Sequence, residues 1–200
     1  MSSLVSIVSW SQKLACEVLR PGDLAIDLTA GKGRDTYVLT QAVGLAGQVV
    51  AFDLQTAALE QTRKLLQSHG LTVTSWPADQ FLAKQPGNFL IQACHSTLKK
   101  VLQHPAKVIM ANLGYLPGGD HDLITQPQTT LEALRQSLLL LAPGGRLTVT
   151  VYPGHPGGIE EGDVVNTFFC TLPNDQWQVL SLRVANYSEA PCLFVAERAF

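Results

Sequence analysis

The chain alternates short apolar runs with longer amphipathic segments, and this alternation constrains its fold more than any other feature of the sequence. Short apolar runs are typical of buried strands, and the segments between them have the periodicity of helices. This order predicts an α/β fold, in which a mostly parallel sheet carries helices on both faces. Seven strands are predicted, at residues 24–28, 48–53, 88–93, 107–111, 146–152, 177–186 and 192–198.

The connections between the strands follow from the same pattern. No helix separates the last two strands, which predicts an antiparallel hairpin at or near a sheet edge. Thr56 is predicted to cap one helix, and Thr129 or Thr130 another. Residues 71–88 stay open between a strand and a surface insertion. The predicted helices are residues 4–19, 35–43, 56–69, 96–103, 130–141 and 160–172.

Composition predicts one globular domain over residues 1–200. Only 15% of the 200 residues are charged, and the formal net charge is −2. This excludes a highly charged disordered chain and gives no electrostatic reason to expect nucleic acid. The four cysteines form no C-x-x-C pair, so no metal is predicted, and they favour a reduced, cytoplasmic protein. We expect no signal peptide, because no Lys or Arg precedes the apolar residues of segment 1–11, and no membrane span, because no apolar run is long enough.

The turn after the first strand reads Asp27-Leu-Thr-Ala-Gly-Lys-Gly33-Arg-Asp-Thr36. Thr36 replaces the third glycine of a dinucleotide fingerprint, and Ile26 and Gly33 break the Walker A pattern. What remains is an acid that ends a strand, followed by G-x-G at the start of a helix. An acid at this place suits a ligand with a cationic amine, such as S-adenosylmethionine. The alternative is a tight strand-to-helix turn that binds no ligand.

A second acid, Asp53, ends the second strand and lies 20 residues after Gly33. A carboxylate at this distance in such a fold accepts hydrogen bonds from both ribose hydroxyls. The alternative is an exposed aspartate that begins a turn. Together with the first turn, Asp53 favours an adenosine-containing ligand and leaves both S-adenosylmethionine and NAD open.

The segment Asn112-Leu-Gly-Tyr115-Leu-Pro-Gly-Gly-Asp120 directly follows the buried strand 107–111. Methylating an amine requires its lone pair to face a sulfonium methyl. The Asn112 side-chain oxygen and the Leu113 carbonyl can hold the amine that way, and Tyr115 can contact the base or the cationic product. The segment resembles the Asn-Pro-Pro-Tyr motif of amino-methylating enzymes, with Leu-Gly in place of Pro-Pro. The alternative is that residues 117–120 form only a structural turn.

The combined motifs resemble one family over nearly the whole chain. They are DLTAGKGRDT, FDLQ, NLGYLPGGDH, the TT-x-x-AL helix, VYPGHPGG and NYSEAPCLFVAE. Together they resemble the "putative rRNA methylase" family of bacterial class I methyltransferases. The resemblance implies a Rossmann-like fold, S-adenosylmethionine as cofactor, and a homodimer. It also implies methylation of the exocyclic amine of 5-aminomethyl-2-thiouridine at wobble position 34, in the anticodon loop of tRNA.

The resemblance also implies roles for individual residues. His155 is either the proton acceptor or a turn residue that caps the next helix, and Asp79 is an alternative to His95 for the adenine contact. Lys32 and Arg34 stand where the family usually has Asn. The implied catalytic residues are Asn112, Tyr115 and His155. The implied cofactor residues are Asp27, Ala30, Gly31, Gly33, Asp35, Thr36, Asp53, Gln55, His95 and Asn112. The implied substrate residues are Leu113, Gly114, Pro117, Gly118 and Asp120.

Two other functions stay open at this point. One is methylation of ribosomal RNA or a small amine with the same cofactor, and the other is a nucleotide-binding regulatory module without activity. A splayed-out RNA base needs few phosphate contacts, so a nearly neutral protein is compatible with RNA. We expect Lys32, Arg34 and Arg146 near the cofactor loops. A second set of residues is either a basic cluster or a solvated surface: Lys99, Lys100, His104 and Lys107.

Overall fold

The computed structural model describes residues 6–114, 125–154, 157–187 and 189–200. Eight strands lie in these ranges: β1 Leu24–Asp27, β2 Gln48–Asp53, β3 Val73–Ser75, β4 Gly87–Gln92, β5 Ala106–Leu113, β6 Leu141–Val151, β7 Trp177–Arg183 and β8 Cys192–Arg198. They form one sheet in the order β3-β4-β2-β1-β5-β6-β8-β7. The pairs from β3 to β6 are parallel, and β8 pairs antiparallel with both β6 and β7. The predicted α/β fold and the C-terminal hairpin are thus confirmed.

The helices connect the parallel strands and cover both faces of the sheet. They are α1 Ile7–Val18, α2 Arg34–Val43, α3 Thr56–Ser68, a 3₁₀ turn His95–Thr97 that runs into α4 Leu98–Val101, α5 Pro127–Leu140 and α6 Gly158–Cys170. The first three pack on one face, and α4, α5 and α6 lie on the other. Within the described ranges, no helix is long and apolar enough to cross a membrane.

The core consists of alternating strand residues on the two sheet faces. One face packs Phe52, Ile109 and Phe194 against α4 to α6. The other face packs small and branched residues of β1, β2 and β5 against Ala15 of α1 and Leu39 of α2. Because β1 lies between β2 and β5 and all four of its residues are buried, it fixes the centre of the sheet.

Several predicted boundaries are wrong, each for a local reason. The sheet has an eighth strand, β3, within residues 71–88, which the sequence leaves open; it pairs with β4 at the sheet edge but has no fully buried residue, so no apolar run marks it. Thr56 is the first residue of α3, which follows Gln55 as N-cap. Thr129 and Thr130 lie inside α5, because Pro127 occupies its first turn and Gln126 precedes it.

The start of β6 also differs from the prediction. The strand begins at Leu141, five residues before the predicted start at residue 146, because Leu141 already pairs with Ala106 of β5. The register then shifts before Val108 pairs with Arg146. The extra residues form an irregularity in the strand, which a pattern of apolar residues does not reveal.

Candidate functional site

A cavity of about 580 Å³ opens at the carboxyl edge of the parallel strands. The loops after β1, β2, β4, β5 and β6 form its walls. Among the predicted catalytic, cofactor and substrate residues, nine line it: Ala30, Gly31, Asp35, Asp53, Gln55, His95, Asn112, Leu113 and Gly114. Three others, Asp27, Gly33 and Thr36, do not line it. The remaining predicted residues lie outside the described residues: Tyr115, Pro117, Gly118, Asp120 and His155.

Asp27 braces the first turn from beneath the cavity. Its side chain is fully buried, with Oδ1 accepting the Thr29 N–H at 3.1 Å and Oδ2 accepting the Thr36 hydroxyl at 2.6 Å. Gly33 precedes α2 with φ +78°, and a Cβ there would lie 2.7 Å from the Cα of Thr62. Asp27, Gly33 and Thr36 therefore shape the turn, and the cofactor contacts that the resemblance implies for them stay predictions.

Asp53 joins the first two loops of the cavity. Its Oδ2 accepts the Gly31 N–H at 2.9 Å, and its Oδ1 accepts the Gln55 N–H at 2.9 Å. Burial raises the pKa of Asp53, and these backbone donors oppose that rise. The carboxylate is thus fixed at the cavity wall in one orientation.

Asn112 is held by both its backbone and its side chain. Its N–H donates to Thr29 Oγ1 at 2.8 Å, and its side-chain Nδ2 donates to Asp35 Oδ2. Asp35 Oδ1 accepts from Gln12 Nε2 of α1 at 2.6 Å. On the other side, the Tyr152 hydroxyl lies 3.5 Å from Asn112 Oδ1.

Buried negative charge dominates this edge of the sheet. Burial, followed by the charge of Asp35, raises the pKa of Asp27 to about 7. Burial also raises the pKa of Asp35, although the hydrogen bonds from Gln12 and Asn112 oppose it. Burial and the nearby Asp35 raise the pKa of Tyr152 to about 12. Such a region attracts a cationic ligand.

His95 lines the same cavity and carries a buried ring nitrogen that no described residue bonds. The residue is 8% exposed, and its Nε2 has no hydrogen-bond partner in the described part of the chain. Burial lowers the pKa of His95 to about 4, against a hydrogen bond with the Leu28 backbone that raises it. The ring is therefore neutral near pH 7. Asp79, the alternative for this position, is exposed and does not line the cavity.

A second polar cluster joins Gly114, just after β5, to Thr125, just before α5. Gly114 N–H donates to Thr125 Oγ1 at 2.9 Å, and Thr125 N–H donates to the Gly114 carbonyl at 3.0 Å. The buried carboxylate of Glu161 accepts the hydroxyls of Thr125 and Thr130, each at 2.6 Å. Residues 114 and 125 are thus held side by side.

Sequence reasoning missed several residues around the cavity. Tyr152 could have been found, because it ends the predicted strand 146–152, at the edge where ligands bind. Gln12 and Glu161 carry no such signal, because both act through contacts between distant elements. The other residues that line the cavity and were missed include Leu54, Thr125, Gln126, Thr129 and Glu189.

The predicted basic residues separate into two groups. Lys32 and Arg34 line the cavity and are exposed. The expectation for Arg146 is wrong, because it pairs with Val108 near the start of β5 and bonds Glu17 at 2.5 Å and Glu197 at 2.6 Å. Two members of the proposed basic cluster also lie at strand starts, where Lys107 donates to the Pro143 carbonyl and His104 contacts Gln48. Strand starts lie at the amino edge, opposite the cavity.

Comparisons with known proteins agree with this geometry. The family model described as "putative rRNA methylase" matches residues 49–197. A chloroplastic tRNA (mnm5s2U34)-methyltransferase from Arabidopsis thaliana is 37% identical over 198 residues, covering 94% of this chain. The chain spans 66% of that relative's length, slightly less than two thirds.

Solved structures are similar over almost their whole length. A structure described as a putative rRNA methylase from Clostridium thermocellum aligns with a TM-score of 0.85 and 32% identity, covering 96% of each chain. A methyltransferase from Streptococcus mutans, solved in complex with SAH, aligns with a TM-score of 0.80 and 32% identity. That alignment covers 96% of this chain and 97% of the other. The predicted Rossmann-like methyltransferase fold is confirmed.

Proposed function

The chain belongs to the putative rRNA methylase family, and we propose that it methylates the exocyclic amine of 5-aminomethyl-2-thiouridine at tRNA wobble position 34. The observation that carries this proposal is the Asn112 carboxamide, whose nitrogen donates to Asp35 and whose oxygen, 3.5 Å from the Tyr152 hydroxyl, keeps a second lone pair for an amine N–H. The name of the Arabidopsis relative supports the same substrate.

The cofactor is S-adenosylmethionine, which supplies an activated methyl group when bound. The cavity of about 580 Å³ lies within the usual range for small-molecule sites. The carboxylates of Asp35 and Asp53 in its wall suit a ligand that carries a sulfonium and an ammonium group. The residues present therefore fit this cofactor.

Each part of the cofactor has a proposed partner in the chain. Asp53 accepts the ribose hydroxyls, and Gln55 lies on the adenine side. The neutral His95 ring accepts an N–H of the bound ligand at Nε2, which otherwise has no partner among the described residues. The backbone of Ala30 and Gly31 approaches the ligand closely, as the turn allows.

The chain's part in the chemistry is mainly to position the methyl acceptor. Asn112 Oδ1 and the Leu113 carbonyl accept the two amine hydrogens, so that the nitrogen lone pair points toward the methyl group. Fixing two reactants in this way supplies much of a methyltransferase's rate. Tyr115 and His155 remain predicted catalytic residues, and Gly114, Pro117, Gly118 and Asp120 remain predicted substrate residues.

The RNA is proposed to reach the cavity past Lys32 and Arg34. Both side chains are exposed at the cavity, where they can contact phosphates that flank one splayed-out base. The alternative of an inactive nucleotide-binding module does not explain why Thr29, Asp35 and Tyr152, from three parts of the chain, all contact Asn112. The experiment below tests whether ribosomal RNA or a small amine is the methyl acceptor instead.

We also propose a cytoplasmic homodimer. The four free cysteines fit a reducing compartment, whereas the Arabidopsis relative is chloroplastic. A dimer would combine two modest basic surfaces and so compensate for the low net charge.

The test combines calorimetry with mass spectrometry of nucleosides. Purified protein is given S-adenosylmethionine and either tRNA or ribosomal RNA from a strain that lacks the 5-methylaminomethyl modification. We expect 5-methylaminomethyl-2-thiouridine to appear in the tRNA alone, and not with the Asn112→Ala variant. Methylation confined to ribosomal RNA would overturn the substrate. Failure to bind S-adenosylmethionine, or tighter binding of NAD, would overturn the methyltransferase proposal as a whole.

A further inference from the structure

Four side chains from separate elements form one hydrogen-bonded series around the Asn112 carboxamide. Gln12 of α1 donates to Asp35 of α2, and Asn112 of β5 donates to the other oxygen of Asp35. Tyr152, directly after β6, contributes a hydroxyl 3.5 Å from Asn112 Oδ1. Gln12 does not line the cavity, so a direct contact with a ligand does not explain its place.

This series determines which way the amide faces. An ionised carboxylate only accepts hydrogen bonds, so Asp35 selects the Asn112 nitrogen and turns the oxygen away. The Tyr152 hydroxyl can donate, so it favours the same orientation from the opposite side. The hydrogen bond from the Asn112 N–H to Thr29 fixes the backbone of this residue. What the other contacts then determine is the rotation of its side-chain amide.

We propose that Gln12 and Asp35 are positioning residues that hold the Asn112 oxygen toward the methyl acceptor, and thereby select acceptors that donate a hydrogen there. Gln12 acts through Asp35, and Asp35 acts through Asn112. The consequence for catalysis rests on the proposed function. The orientation of the amide does not, because it exists in the free protein.

The charged surroundings of Asp35 make this arrangement measurable. Asp27 of β1, Arg34 of α2, Cys16 of α1 and Tyr152 all interact electrostatically with Asp35. Gln12 lowers the pKa of Asp35 by donating to it. Removing that donor raises the pKa, so Asp35 becomes protonated, and able to donate to the amide, at higher pH.

The direct test follows the Asn112 side-chain amide by NMR in the 15N-labelled protein without ligands. Its resonance pair is identified by its loss in Asn112→Ala. We expect the chemical shifts of this pair to change as the pH falls. The pH midpoint of that change should be higher by about half a unit or more in Gln12→Leu and in Gln12→Glu. Lys13→Leu, on the next residue of α1, is the matched control. Unchanged midpoints in both folded Gln12 variants would overturn the proposal.

Kinetics then separates this proposal from the proposed function. We expect Gln12→Leu to lower kcat about tenfold and to move the acid limb of its pH profile upward, with KM for S-adenosylmethionine within twofold. Lys13→Leu should match the parent protein. A parent protein that methylates tRNA together with an unaltered Gln12→Leu profile would overturn the positioning role alone. A parent protein without tRNA methylation would overturn the substrate, while the NMR midpoints would still decide the orientation of the amide.

Discussion

Carboxylates at the two edges of the sheet are held in opposite ways. At the amino edge, Glu17 and Glu197 form ion pairs with Arg146. At the carboxyl edge, Asp27, Asp35 and Asp53 accept hydrogen bonds from amides and hydroxyls, and none forms an ion pair with a described residue. One edge neutralises its negative charge, and the other leaves it for a cationic ligand.

The pKa values of the two edges shift in opposite directions as a result. The hydrogen bond and charge of Arg146 lower the pKa of Glu17. That pairing stabilises the fold above the unfolded pKa of a glutamate and is lost as the pH falls. Burial instead raises the pKa of Asp27 to about 7, so its contribution is present at low pH and is lost as the pH rises toward 7.

The largest expected effect comes from the acceptor side of the carboxyl edge. Asn112→Ala should lower kcat by about 100- to 1,000-fold, because the acceptor loses its orienting hydrogen bond. Calorimetry should give an affinity for S-adenosylmethionine within a few-fold of the parent, and Asn166→Ala, at an exposed position of α6, is the matched control. Equal losses of turnover and affinity would instead make Asn112 a residue of the cofactor site or of the fold.

The next effect concerns the cofactor side of the same edge. Asp53→Asn should weaken S-adenosylmethionine binding by about 10- to 100-fold, since the amide cannot accept the Gly31 and Gln55 N–H groups together with ribose hydroxyls. Glu197→Gln removes a carboxylate of the amino edge and should leave the affinity unchanged. Similar losses in both variants, measured by calorimetry, would remove the distinction between the edges.

A smaller effect tests the buried acid beneath the cavity. Asp27→Asn supplies a neutral group of the same shape. The free energy of unfolding of the variant should therefore lack the fall between about pH 4 and pH 7 that ionisation of Asp27 causes in the parent protein. The difference should reach on the order of 2 kcal/mol in favour of the variant at pH 8. Urea unfolding across this pH range measures it. A difference between Asp27→Asn and the parent that stays constant over this pH range would contradict the raised pKa.

Sequence reasoning placed a residue correctly where its position depends only on the direction of its strand. Asp53 and Asn112 stand at the carboxyl ends of β2 and β5, so the direction of the strands alone brings them together. Gln12 could not be found this way, because its partner Asp35 lies 23 residues away and on another helix. That contact depends on how α1 packs on α2, which the apolar pattern leaves undetermined.

The error over Arg146 has a different origin. The residue begins its predicted strand, and the rule that placed Asn112 beyond a strand end also places a strand start at the opposite edge. Its partners Glu17 and Glu197 come from α1 and β8, far away in the sequence. The position of Arg146 at the amino edge could thus be predicted from the sequence, whereas its ion pairs with Glu17 and Glu197 could not.

The smallest expected effect tests whether the amino edge only stabilises the fold. Arg146→Met should reduce the free energy of unfolding by about 1 kcal/mol near pH 7, and by less in acid, where protonation of Glu17 removes its ion pair with Arg146. Arg146 also donates to the Leu14 carbonyl of α1, the helix that carries Gln12. Unchanged S-adenosylmethionine affinity and an unchanged Asn112 amide resonance would keep the two edges independent. A shifted resonance would mean that the ion pairs of the amino edge also hold α1 in the position from which Gln12 reaches Asp35.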